Sequence, residues 1–167
     1  AKDRQPPMAI TDLNNWLGAV KSSRETRGKG VKPLIGAEIF LEGLGKDPLM
    51  LSRIVLLVQS RQGYLNLSEL LARVWTQNTG KAQAVCKLAW LQELNEGLIA
   101  LSGAQAGPVG QALVQGDASR AATLALQLAG VVPHRFYLEL QRAGRPEDEP
   151  HVVAAVQLAA RLKLPVV

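Results

Sequence analysis

The sequence predicts an α/β fold built on a mostly parallel sheet. Strand-like segments rich in Ile, Val and Leu alternate along the chain with segments whose apolar residues recur at helical spacing. The near-continuous apolar run at 32–41 is typical of a strand buried on both faces, as parallel strands are. With 167 residues, of which 47% are apolar and 20% charged, the chain is expected to form one domain over residues 1–167.

Six segments have strand character. Pro6 and Pro7 are expected to end any preceding helix and lead into the first strand, and a turn-forming segment at 43–48 separates the second strand from the third. In chain order the predicted strands are 8–11, 32–41, 49–59, 98–101, 136–141 and 164–167. Helices between strands imply right-handed crossovers.

Capping residues predict where the helices lie. Asn66, with Glu69 three residues later, is a weak capping box. The acidic run at 147–149 lies in the first turn of the last helix, where it is expected to complement the backbone dipole, and His151 is expected at the surface. The predicted starts, in order, are Asn14 or Asn15 (the helix carrying Trp16 and Leu17), Asn66, a short helix near Leu88, Pro108, Asp117 or Ser119, and Pro146. The polar segment 77–83 is the best candidate for a mobile loop.

The first two predicted strands are expected to bring functional groups together. Asp12 and Leu13 follow the apolar start of the first strand, and Glu38 lies within the second. In parallel α/β folds, residues near the C-terminal ends of strands collect at one edge of the sheet, where binding sites form. We therefore expect Asp12, Leu13 and Glu38 to face one cleft.

Five phrases distributed along the chain resemble a known family in order and spacing. They are MAITDLNNWLGAV (8–20), GVKPLIGAEIF (30–40), SRQGYLNLSELLAR (60–73), LQELNEGLIALSG (91–103) and RFYLELQRAGRPEDE (135–149). The family is the polymerase and histidinol phosphatase (PHP) domain at the start of bacterial DNA polymerase III alpha subunits. The resemblance implies a partial, distorted (β/α)7 barrel with mostly parallel strands, its opening strand missing and its closing strand incomplete.

Active PHP domains bind several metal ions through histidines and carboxylates, and the resemblance implies that this site has decayed. The family's Asp-His pair corresponds to Asp12 and Leu13, and its next carboxylate remains as Glu38. A histidine expected in the following strand corresponds to Arg53, and a cysteine after LSG corresponds to Ala104. Imidazole ligands have thus become an apolar side chain and a permanent cation. No metal cofactor is expected, and Arg53 is expected to pair with Glu38 and Asp12.

The resemblance implies a non-catalytic role. The domain would act in DNA replication as a scaffold that contacts the other domains of the alpha subunit and docks the proofreading exonuclease subunit. The domain would contact DNA only indirectly, through the parent protein, which is a DNA-directed DNA polymerase and thus a nucleotidyltransferase. Separately, the sequence has no apolar run of ~20 residues and no secretory signal, so a cytoplasmic location without a membrane contact is expected. The alternative is a residual phosphoesterase, pyrophosphatase or 3′-5′ exonuclease that uses zinc or manganese.

A local basic cluster dominates the net charge of +5. Only Glu25 opposes it within the same stretch. Its members are Lys21, Arg24, Arg27, Lys29 and Lys32. Two interpretations remain open: a solvated helix face, or a contact surface for DNA or an acidic subunit.

Overall fold

The computed structural model describes residues 8–15, 19–45, 51–78 and 83–167. The predictions for Pro6 and Pro7, and for Trp16 and Leu17, lie outside these ranges, as do parts of the predicted loops at 43–48 and 77–83. Within the described residues, no helix is long and apolar enough to span a bilayer.

The described residues form a single sheet with one reversed strand. The strands are β1 (Met8–Leu13), β2 (Pro33–Glu42), β3 (Ser52–Val58), β4 (Cys86–Lys87), β5 (Leu98–Leu101) and β6 (Phe136–Tyr137). Their order is β1-β2-β3-β5-β6, and the short β4 pairs with the end of β2. The pairs β1–β2, β2–β4 and β5–β6 are parallel, whereas β3 is antiparallel to both of its neighbours. The prediction of a mostly parallel sheet is confirmed.

The reversal of β3 follows from the short connection that precedes it. Only residues 43–51 join β2 to β3, whereas a parallel pair needs a crossover of about a dozen residues or more. The connection therefore returns the chain beside β2 in the opposite direction. The prediction of crossovers does not hold at this point of the chain.

Six α-helices lie in the described ranges, and their predicted order is confirmed. They are α1 (Ala19–Gly28), α2 (Arg61–Thr76), α3 (Leu88–Glu93), α4 (Pro108–Val114), α5 (Ala118–Val131) and α6 (Asp148–Leu162), with a 3-10 turn at Ala104–Ala106. The capping box predicted at Asn66 is wrong. Helix α2 begins five residues earlier, where the Ser60 hydroxyl accepts a hydrogen bond from the Gly63 amide at 3.1 Å. Asn66 is buried inside α2 and donates to the Glu96 carbonyl at 2.9 Å.

The two faces of the sheet differ in chemistry. One face carries apolar side chains that are almost fully buried in the core formed with the helices, namely Ala37, Ile39, Ile54, Leu56, Ala100 and Phe136. Because side chains alternate along a strand, Glu38 and Arg53 lie on the other face, where most side chains are only partly buried. This second face holds the candidate site.

The start of α6 is built around a buried carboxylate. Asp148, only 4% exposed, accepts hydrogen bonds from the amides of Ala143 and Arg145 at 2.5 and 3.0 Å and from Gln105 Nε2 at 3.0 Å. The Arg145 amide is the main cause of the lowered pKa of Asp148. This residue of the acidic run therefore also anchors the loop that precedes the helix.

His151 was expected at the surface, and this is wrong. Its side chain is 3% exposed, because positions 151, 155 and 158 share the face of α6 that packs into the protein. The Nδ1 atom is buried without a hydrogen-bond partner among the described residues. Burial lowers the pKa of His151, and the nearby Asp148 carboxylate offsets this only in part.

We expect stability to fall when the pH drops below the ordinary histidine pKa. The unfolded chain protonates His151 near pH 6.5, about the unperturbed value, before the folded chain does. Between that value and the lower folded pKa, the free energy of unfolding should decrease by up to about 1.4 kcal/mol per pH unit. Urea denaturation at several pH values measures this slope. His151→Gln should flatten the slope, and the exposed His134 supplies the matched control variant His134→Asn. An unchanged slope in His151→Gln would contradict the assignment.

Candidate functional site

The register of three strands places the central site residues on one face of the sheet. Leu13 pairs with Glu38 across β1 and β2, and Glu38 lies opposite Val55 on β3. Arg53 lies opposite Phe40, two residues further along β2. Glu38 and Arg53 are therefore diagonal neighbours across an antiparallel pair, a distance that a long side chain spans.

Arg53 holds both oxygens of the Glu38 carboxylate. Arg53 Nη2 donates a hydrogen bond to Glu38 Oε2 at 2.6 Å, and Nε lies 2.5 Å from Oε1. This second contact is an ion pair whose angle falls outside hydrogen-bond geometry, since Nε has no hydrogen-bond partner. The side chains are 39% and 20% exposed, so the pair is only partly shielded from water. The expected contact between Arg53 and Glu38 is present.

Asp12 does not share the face of this ion pair. Its register partner is Ala37, and neighbouring residues of a strand point to opposite faces. The expectation that Asp12, Leu13 and Glu38 face one cleft is therefore wrong for Asp12. The strand geometry brings together Leu13, Glu38 and Arg53 only.

The loop that carries Ala104 packs closely against the backbone at Arg53. Gly103 has a φ of 75°, and a Cβ atom at this position would overlap the Arg53 carbonyl oxygen. A Cβ on Gly107 would overlap the Ser102 carbonyl oxygen and lie 3.0 Å from the Arg53 carbonyl oxygen. Ala104 is buried, with 1% of its surface exposed. The loop thus adjoins Arg53 through backbone atoms and offers an alanine methyl group rather than a ligand.

The residues of this site do not match the needs of a divalent metal ion. Zinc and manganese require several nitrogen, sulfur or oxygen ligands that converge on one point. Leu13 and Ala104 cannot coordinate, and the oxygens of Glu38 already face a guanidinium cation. Among the described residues, no group of three or more His, Cys, Asp and Glu side chains is arranged to hold a metal ion.

Glu139 is a member of this face that the sequence interpretation missed. Tyr137 lies on the same face as Glu38, because Tyr137 pairs with Leu101, Leu101 with Val55 and Val55 with Glu38. Glu139 follows Tyr137 by two residues and so points to the same side. Its Oε1 accepts from Gln141 at 2.7 Å, whereas Oε2 is buried without a hydrogen-bond partner. The alternation of the predicted strand 136–141 was the signal that could have placed it. The alternation thus places the Glu139 carboxylate toward the face that carries Glu38 and Arg53.

An open pocket of about 360 Å³ adjoins Leu13. Trp75 forms part of its wall and is held there by a hydrogen bond from Nε1 to the Asn14 carbonyl at 2.7 Å. The described lining residues are Leu13, Asn14, Asn15, Phe40, Val74, Trp75, Asn78, Gln83 and Ala84. None of these side chains is an acid, a base or a strong nucleophile, so this described lining can bind a molecule but supplies no group for proton transfer.

The residues of the basic cluster lie at the surface. Helix α1 carries Lys21, Arg24 and Arg27, and the turn before β2 carries Lys29 and Lys32. All five side chains are exposed. Helix α1 runs back from the end of β1 toward the start of β2, so Lys32 directly precedes β2 and lies six residues before Glu38.

The fold and the site together define a class of protein. It is an α/β domain whose candidate site lies beside the end of β1, where an arginine occupies the oxygens of the carboxylate. A profile of the PHP domain matches residues 1–143. The chain therefore belongs to the PHP domain family. The resemblance noted in the sequence is confirmed.

The relatives of this chain by sequence are polymerase subunits. The chain is 43% identical over 163 residues to the DNA polymerase III subunit alpha of Pseudomonas fluorescens and 41% identical over 162 residues to that of Pseudomonas aeruginosa. It is 38% identical over 164 residues to that of Escherichia coli K12. Each match covers 97% of this chain and 14% of the relative. The chain thus spans about one seventh of the length of these relatives.

A solved structure supports the fold. The chain resembles an inferred metal-dependent phosphoesterase of Bifidobacterium adolescentis with a TM-score of 0.56 and 12% sequence identity. The match covers 99% of this chain and 76% of the other. At this identity the likeness concerns the fold alone.

Proposed function

We propose that this chain is a non-catalytic PHP domain of a replicative DNA polymerase alpha subunit, in which it serves as a scaffold and docking surface. The proposal rests on one observation: Arg53 contacts both carboxylate oxygens of Glu38, and the residue paired with Glu38 on β1 is Leu13. A fixed guanidinium supplies the positive charge that a metal ion would otherwise bring to this carboxylate.

The proposal extends to the surroundings of the domain. The whole chain, residues 1–167, forms one partial, distorted (β/α)7 barrel that packs on the other domains of the alpha subunit in the bacterial cytoplasm. Its protein partner is the proofreading exonuclease subunit, and nucleotide addition takes place in other domains of the parent polymerase. The resemblance to alpha subunits over 97% of the chain supports this assignment.

Hydrolysis of a generic phosphate monoester tests the absence of catalysis. We expect the chain, supplied with manganese or zinc, to show no turnover above the background of the variant Glu38→Gln. Glutamine keeps the size of the side chain but removes its charge. Metal-dependent turnover that disappears in Glu38→Gln would overturn the proposal in favour of the alternative, a residual metal-dependent phosphoesterase.

Co-elution tests the docking role. The chain is mixed with the proofreading exonuclease subunit and passed over a size-exclusion column, with and without a metal chelator. We expect a complex that survives the chelator, since no metal ion takes part in the proposed role. Separate elution of the two proteins under both conditions would remove the exonuclease from the proposal.

A further inference from the structure

Almost all of the net charge of the chain is concentrated in one short stretch. Between residues 21 and 32 there are five cations and a single carboxylate, Glu25, which gives a net charge of +4 within a chain whose total is +5. We call these five cations the α1 strip: Lys21, Arg24, Arg27, Lys29 and Lys32. The remainder of the protein is close to neutral.

Several cations of the protein are paired with a carboxylate, whereas those of the α1 strip are not paired with one among the described residues. Arg53 is paired with Glu38, Arg73 with Glu69 and Glu93, and Arg142 with Glu149. Within the described part of the chain, no side chain of the α1 strip makes an ion pair or a hydrogen bond, and all five are exposed. Their charges therefore face solvent.

Helix stability explains only part of the α1 strip. Arg27 lies in the last turn of α1 and complements the negative end of the helix dipole. Lys21 lies in the first turn, where a cation is unfavourable, and no acidic residue is present in that turn. Glu25 is four residues after Lys21, the weaker of the two orientations for such a pair. The helix thus carries positive charge that its own stability does not require.

We propose that the α1 strip contacts the phosphate backbone of double-stranded DNA without reading its sequence. From Lys21 to Arg27 the helix rises about 9 Å, a length that faces several phosphates of a duplex. Each lysine or arginine that neutralises a phosphate releases counterions, which drives binding. This contact goes beyond the scaffold role, in which DNA is met only through other domains.

The composition of the α1 strip favours a duplex over the other anionic partners. Residues 21–32 contain no aromatic side chain on which the bases of a single strand could stack. They also contain no large apolar side chain other than Val31, whereas the centres of protein–protein interfaces rely on aromatic and apolar anchors. A surface that offers charge alone matches a phosphate backbone.

Fluorescence anisotropy of a short labelled duplex tests the proposal with the chain itself. The test variant is Arg24→Gln/Arg27→Gln. The matched control, Arg61→Gln/Arg145→Gln, removes two exposed arginines outside the α1 strip. We expect the chain to bind at about 50 mM salt and to weaken steeply toward about 200 mM. The test variant should bind about 100-fold more weakly near 50 mM salt, with a salt slope smaller by about 2, and the control should bind like the parent chain.

A charge added to the strip should act in the opposite direction. Glu25→Gln removes the single carboxylate of the stretch and should tighten duplex binding several-fold. Equal losses in the two double variants, or no binding at low salt, would overturn the proposal. Tighter binding of a single strand of equal length would overturn the duplex assignment, and binding of poly-glutamate without binding of DNA would overturn it in favour of an acidic protein.

Discussion

Alanine at Gly107 is expected to cost about 3 kcal/mol or more of the free energy of unfolding. Its backbone, at φ −81° and ψ 168°, suits any residue, so the cost arises from its neighbours. A methyl group there would overlap the Ser102 carbonyl oxygen and press on that of Arg53. The loop that carries Ala104 would have to move away from β3. Urea denaturation of Gly107→Ala measures the loss.

Gly130 provides the matched control for this substitution. It lies inside α5, and nothing is within 4 Å of the position that a Cβ would take. Gly130→Ala should raise the free energy of unfolding by up to about 1 kcal/mol, because alanine restricts the unfolded chain and favours the helix. If Gly107→Ala were as stable as the parent chain, the loop would not pack against Arg53 as described.

Removal of the Arg53 side-chain charge is expected to destabilise the protein by about 1 to 2 kcal/mol. The variant Arg53→Leu leaves the half-buried carboxylate of Glu38 without its partner. Because the pair is partly exposed, water compensates some of the loss, and the effect stays below that of a fully buried ion pair. The double variant Glu38→Gln/Arg53→Leu should recover part of the stability, since no unpaired charge remains.

The ion pair between Arg142 and Glu149 is the matched control. Its side chains are 64% and 66% exposed, so Arg142→Leu should leave the denaturation midpoint unchanged. A double-mutant cycle on Glu38 and Arg53 then isolates their interaction energy. If Arg53→Leu were as stable as the parent chain, the arginine would not replace the charge of a metal ion at this site.

The order of the helices and of five strands followed from the sequence because periodicity and residues that end elements are local signals. The short β4 was not predicted, and the strand expected at 164–167 is only a single bridge between Leu138 and Val166. Gly, Pro and capping residues such as Ser60 and Asp117 lie at the ends of elements, although the helices expected to start at Asn66 and Pro146 begin at Arg61 and Asp148. The reversed direction of β3 was also within reach, since residues 43–51 are too few for a crossover. The prediction took the alternation of strands and helices as a sign of parallel pairing. It did not consider that the connection between β2 and β3 is too short for a parallel pair.

Only part of the candidate site was predicted from the sequence. The pairing of Glu38 with Arg53 was expected from a charge replacing a ligand, and a cross-strand diagonal provides it. Adjacency in one strand already placed Asp12 and Leu13 on opposite faces, and only the register shows that Leu13 is the one on the face of Glu38. The burial of His151 depends on which side of α6 packs inward, and Glu139 joins the site only through the pairing of β5 with β6. Which side of a helix packs inward and which strands pair are tertiary facts, although the alternation of strand 136–141 was a local signal for Glu139.

Under the proposed function, the Arg53 guanidinium takes the place of a metal ion beside Glu38. Isothermal titration of the chain with manganese and with zinc, beside the variants Glu38→Gln and Leu13→His/Arg53→His, tests this claim most directly. We predict no saturable binding by the parent chain and a gain of affinity in the double histidine variant, which frees Glu38 and restores two imidazoles. Saturable binding of either metal by the parent chain, abolished in Glu38→Gln, would contradict the claim.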